Sequence, residues 1–142
     1  MGLDNGFVGH FKQHPQAEIT LAYFRKYYDL DRWVIGHCQP VDPSDPFDVI
    51  VSKEDLEALL REIEPIAEAL QGYTLNQISY YDDNGYPQDF IEKFYEAQFS
   101  PVSTSTSFAG YKLIKLYRNV LNMLEIIEEN GTDFYITFYS SF

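Results

Sequence analysis

Between Tyr111 and Tyr139 the spacing of apolar side chains changes from the period of a helix to the period of a strand, and that change limits the folds that can contain both. Leu113, Leu116, Val120, Met123 and Ile127 form one row at three- and four-residue spacing, and Ile114, Tyr117, Leu121, Leu124 and Glu128 form the next. Adjacent rows of this kind make a wide apolar arc on one helix, predicted over 110–129. Asn130-Gly131 stops it, because glycine takes the left-handed conformation that closes a helix C-terminus. Phe134, Ile136 and Phe138 then alternate with Tyr135, Thr137 and Tyr139, the two-residue period of a terminal strand predicted over 133–140. Helices packed on a small sheet, an α+β fold, bury both patterns.

The same pairing of signals occurs upstream. Phe47, Val49 and Val51 alternate with Asp48 and Ile50, as in a short strand over 47–51. Ser52 then precedes Lys53-Glu54-Asp55, so that its hydroxyl can cap free amides while the acids favour the helix dipole. The helix predicted over 53–70 buries Leu56, Leu59, Leu60, Ile63, Ile66, Ala67 and Leu70, and Pro65 is expected to kink or split it because proline supplies no amide. A first strand is expected over 6–12, after Asn5-Gly6. From 17 to 36, Ile19, Tyr23, Tyr27, Leu30 and Val34 recur at helical spacing and predict a helix, against a competing strand signal from the aromatic and β-branched residues of Ile19–Phe24. Pro40, Pro43 and Pro46 predict a loop over 39–46. Pro87 opens a fourth helix over 87–98, carried by Phe90, Ile91, Phe94 and Tyr95. With no internal repeat and no long linker, 1–142 reads as a single domain.

Composition sets the partners. Of 142 residues, 22 are acidic and 10 are Lys or Arg, giving a net charge of −12. Nucleic acid and anionic membrane both repel such a chain, so neither is an expected direct partner, and a protein with a basic surface is the natural complement. Nine acids stand against Lys53 and Arg61 between Asp42 and Leu70. Glu54, Asp55, Glu57, Glu62, Glu64 and Glu68 therefore form a candidate acidic binding face, set against the plainer reading of charge as a solubility device. Aromatics make up 17% of the chain, with 12 Tyr and 11 Phe, and tyrosine favours core margins and contact surfaces because its hydroxyl needs a partner or water. Tyr23, Arg25, Lys26 and Trp33 form a candidate aromatic-basic contact. Cys38 is the lone cysteine and no run of about 18 apolar residues exists, which points to a reducing, cytoplasmic location without a membrane span.

Several segments resemble a family of small uncharacterised phage and prophage proteins. They are the opening Met1-Gly2-Leu3-Asp4, the run Ala22-Tyr23-Phe24-Arg25-Lys26 with Trp33 downstream, Val51-Ser52-Lys53-Glu54-Asp55-Leu56 at a helix start, and the tail from Asp133-Phe134-Tyr135 to Ser140-Ser141-Phe142. The resemblance implies a mobile-element origin, host-cell cytoplasm and an α+β fold, and brings no activity, cofactor or site residue with it.

The chemical motifs are sparse. Asp82-Asp83-Asn84-Gly85 looks like the middle of a calcium loop, but that alignment puts Tyr80 at the first position and Ile91 at the twelfth, where carboxylate oxygens are needed. His10, His14, His37 and Cys38 are too loosely spaced for a zinc site. His37 adjoins Cys38, yet neighbours on a regular element point apart, so no nucleophile and base pair follows from adjacency. No phosphate-binding or dinucleotide glycine pattern occurs. No cofactor, metal or catalytic residue is therefore expected. The leading expectation is a non-enzymatic protein-binding module, such as an anti-defence inhibitor or nucleic-acid mimic occupying a basic site. A small metal-dependent hydrolase or nucleotide-processing enzyme, and an oligomeric accessory protein, are the alternatives.

Overall fold

The structure is a computed structural model and describes residues 2–69 and 109–142. Its described elements run β1 (Asp4–Phe11), β2 (His14–Arg25), α1 (Tyr28–His37), β3 (Gln39–Asp42), β4 (Asp45–Val51), α2 (Lys53–Ala69), α3 (Ala109–Asn130), a 3₁₀ turn (Gly131–Asp133) and β5 (Phe134–Ser141). The five strands form one antiparallel sheet in the order β2-β1-β5-β4-β3. First and last strands are thus neighbours at its centre, and Phe7 lies opposite Phe138.

Alternation divides this sheet into two faces. Phe7, Val49, Val51, Phe134, Ile136 and Phe138 are buried in one cluster with Leu30 and Val34 of α1, Leu56, Leu59 and Ile63 of α2, and Leu113, Leu116, Val120 and Met123 of α3. The helices therefore cover one face. The expected strand of 133–140 and the helix of 110–129 both form; Phe134, Ile136 and Phe138 and the row Leu113, Leu116, Val120 and Met123 face inward, whereas Leu121 of the second row is 42% exposed. Burial of this apolar area, at about 25 cal/mol per Å², is the main force holding helices to sheet.

The helix starting after Ser52 also forms, and its cap is reciprocal. The Asp55 amide donates to Ser52 Oγ at 3.0 Å, and the Ser52 amide donates to Asp55 Oδ2 at 3.0 Å. Pro65 does not split this element, which runs unbroken to Ala69. Gly131, with φ of 60°, terminates α3 as expected.

Three expectations need correction. The stretch 17–36 is not one helix: it is the second half of β2, a bend at Lys26, and α1. The row Ile19, Tyr23, Tyr27, Leu30, Val34 straddles both elements, and only its last three members are buried. The β-branched and aromatic signal of Ile19–Phe24 prevails because β1 offers that segment a full ladder of partners. The stretch 39–46 is not all loop, since Gln39–Asp42 forms β3 at the sheet's edge, where the amide that Pro40 lacks is not required by a second neighbour. Asn5-Gly6 does not precede the first strand but lies within it. The helix expected over 87–98 lies outside the described residues.

Candidate functional site

The face of the sheet opposite the described helices forms, among the described residues, a trough of about 1070 Å³. Its floor comes from the central strands β1 and β5: Val8, His10, Tyr135, Thr137 and Tyr139. One wall carries Glu18 and Thr20 from β2, and the other carries Asp45, Phe47, Asp48 and Ile50 from β4. Strand periodicity selects Asp48 and Ile50, which alternate with buried Val49 and Val51, whereas Phe47, expected to face inward with those two valines, is 44% exposed near the start of β4, and Asp45 reaches the trough from the same end. On β2 the pairing shifts between Phe7–Ala22 and Val8–Thr20. That one-residue bulge places Thr20 and Glu18 across from Val8 and His10, on the trough side, although Ala22 and Phe24 point into the core.

Within the floor, His10 Nε2 and Thr137 Oγ1 share a hydrogen bond of 2.8 Å. The His10 ring stacks on Tyr135 with centroids 4.7 Å apart and planes 15° from parallel. Tyr23 Oη donates to Asp4 Oδ1 at 2.7 Å further along this face.

Glu18, Asp45 and Asp48 set three carboxylates around the trough against one cation, Lys12, that also lines it. Partial burial raises the Asp48 carboxyl above its ordinary range, the Asp45 and Glu18 charges add to the rise, and His10 opposes it. Asp48 and Glu18 sit on strands separated by β5 and β1, and the Glu18 charge still acts on Asp48 across the trough. Tyr139 is also raised, by burial first and then by Asp4.

The residues singled out from sequence fall elsewhere. Glu54, Glu62 and Glu68 are exposed on α2 and Glu57 and Glu64 half-buried, so this row lies on the helix layer, across the sheet from the trough. Asp55 is occupied as the cap of α2. Tyr23, Arg25 and Lys26 are exposed, but Trp33 is buried, its ring stacked on His37 at 4.1 Å, and does not join them in one contact. Glu18, Asp48, His10 and Tyr135 were not foreseen together. Only the period-two pattern of β4 and β5 hinted at outward positions, and no local signal says which strands adjoin.

His10 and Thr137 are spaced as base and hydroxyl, yet no described carboxylate hydrogen-bonds to the other ring nitrogen to orient it. No group of three or more His, Cys, Asp or Glu side chains is placed to hold a metal ion among the described residues. Cys38 is buried, and burial, followed by the neighbouring Asp55 carboxylate, raises its thiol far above the range of a reactive thiolate. No helix among the described residues is long and apolar enough to cross a membrane. The acidic turn at Asp82-Asp83 lies outside the described residues. No protein-family model, no curated protein and no solved structure matches the chain.

Proposed function

We propose that this chain is a non-enzymatic protein-binding module whose uncovered sheet face takes a partner with a basic surface. The observation that carries this reading is the trough itself: an aromatic floor between walls bearing Glu18 on one side and Asp45 and Asp48 on the other. Like charges gathered there repel one another, and a cationic partner relieves the repulsion while the rings contribute contact area. The net charge of −12 steers such a partner from a distance. Occupation of a Lys- and Arg-lined site on a nucleic-acid-handling protein, as an inhibitor encoded by a mobile element would do, is the biological form this reading takes.

Fluorescence anisotropy of a labelled Lys- and Arg-rich peptide tests it. Binding is expected at low salt, weakening as salt rises, and lost in Glu18→Gln/Asp45→Asn/Asp48→Asn. Loss of binding instead in Glu57→Gln/Glu64→Gln/Glu68→Gln, with the trough variant unaffected, moves the site to α2. Failure of the wild type to bind at low salt sinks the reading. Sedimentation of the free chain separates it from the accessory-protein alternative, which requires a stable oligomer.

A further inference from the structure

We propose that the trough is a guanidinium pocket: one arginine side chain of the partner enters between Glu18 and Asp48 and lies against the stacked rings of His10 and Tyr135. The inference rests on the sheet face being the binding surface, and it names the group that face selects.

Two features of the trough favour arginine over lysine, and a third suits the stem of either. The first is the position of the acids. Glu18 of β2 and Asp48 of β4 stand on opposite walls with β1 and β5 between them, and Asp45 stands beside Asp48. A guanidinium presents five N–H donors in one plane and can face both walls at once, whereas an ammonium is a compact point charge that satisfies one wall best. The second is the floor. His10 and Tyr135 are parallel to within 15°, and the hydrogen bond to Thr137 holds the imidazole in place. A flat, fixed ring pair suits a planar cation, and it loses little side-chain freedom on binding. The third is the surrounding surface: Phe47 packs edge-on against Phe142 at 5.4 Å, and Ile50, which also lines the trough, is 41% exposed. These apolar side chains can cover the methylene stem of a long side chain and lower the dielectric around its head. Anionic ligands are repelled by the same carboxylates, and the described residues offer no three-ligand metal geometry that would let a bare cation compete.

The probe is a capped, otherwise neutral peptide carrying a single arginine, compared with its lysine counterpart, by amide chemical-shift titration of the full chain. The arginine peptide is expected to shift His10, Tyr135 and Thr137 and to bind about tenfold more tightly than the lysine peptide, a ratio set by the extra charge-assisted hydrogen bond. Asp48→Asn is expected to abolish that preference, and Glu18→Gln, an exposed position that cannot disturb the core, to reduce it. Equal affinity for the two peptides, with the trough still responding, overturns the guanidinium pocket and leaves the basic-partner reading standing. Trough shifts from a polybasic peptide but none from the single arginine do the same. Silence of the trough toward every cationic peptide overturns both.

Discussion

The ring of Phe134 rests on the backbone of Gly9: a β-carbon placed on Gly9 would stand 2.6 Å from Cζ of Phe134 and 2.8 Å from its Cε2. Gly9 is thus the seat of a core aromatic at the start of β5, which also meets the Phe11 ring at 5.1 Å with the planes tilted by 58°. Gly9→Ala forces that ring to move within a packed core, and a cost of about 1–2 kcal/mol is expected. Gly6→Ala is expected to cost more, about 3 kcal/mol, because there the new carbon meets the Ala22 carbonyl oxygen, and backbone cannot rotate aside. Urea-unfolding midpoints order the two; equal midpoints for wild type and Gly6→Ala contradict the packing described.

Ser52 and Asp55 close the first turn of α2 on each other, and Asp55 also faces the Cys38 thiol. Ser52→Ala removes one acceptor for a free amide and is expected to lower stability by about 1 kcal/mol. Cys38 should not react with a disulfide reagent near neutral pH until the chain unfolds, since burial and the Asp55 carboxylate both disfavour its thiolate. Rapid labelling of the folded chain would show that the α1–β3 junction opens.

The elements that were legible in sequence are those whose signals are local. The Ser52 cap, the stop at Gly131 and the alternation of Phe134–Tyr139 each depend on residues within a turn or a strand of one another. What escaped depends on distant pairing. Lys12-Gln13 joins β1 to β2, and Lys26 ends β2, without the glycine, asparagine or proline that marks most turns. The helical row through Ile19 and Tyr23 was therefore left uninterrupted. The trough was less legible still, because His10 and Thr137 meet from positions 127 residues apart and no property of either segment announces the other.

Lys26 takes a left-handed conformation, φ 59°, that side-chain-bearing residues avoid. It is held there from two sides: its amide donates to the Leu3 carbonyl at 2.6 Å, and its own carbonyl accepts from Lys112 Nζ at 3.2 Å. Lys26→Gly removes the steric cost and is expected to raise stability by up to about 1 kcal/mol, whereas Lys26→Val, branched at the β-carbon, should lower it by about 1–2 kcal/mol. Thermal melts of the two variants should move in opposite directions. A drop in both would mean that the Lys26 side chain, not its backbone, holds the bend.

Asp29 is 3% exposed at the start of α1, and its Oδ1 has no hydrogen-bond partner among the described residues. Burial raises its carboxyl to about 6, against the opposing pull of Arg32 and Lys112. Lys112 shows the mirror effect, pushed down to about 8 by burial first and then by Lys26, with Asp29 opposing. A carboxyl whose folded value lies above its unfolded one resists ionisation in the fold. Its cost is therefore absent below the unfolded value of 3.8, grows as pH rises toward 6, and is complete above that. Asp29→Asn removes the ionisation, so its stability relative to wild type should rise between acidic and neutral pH by up to about 3 kcal/mol, the worth of a rise from 3.8 to about 6 before solvent screening. Urea titrations at a series of pH values read this difference directly. A gap between variant and wild type that stays constant from acid to neutral pH would mean that Asp29 is as well solvated in the folded chain as in the unfolded one.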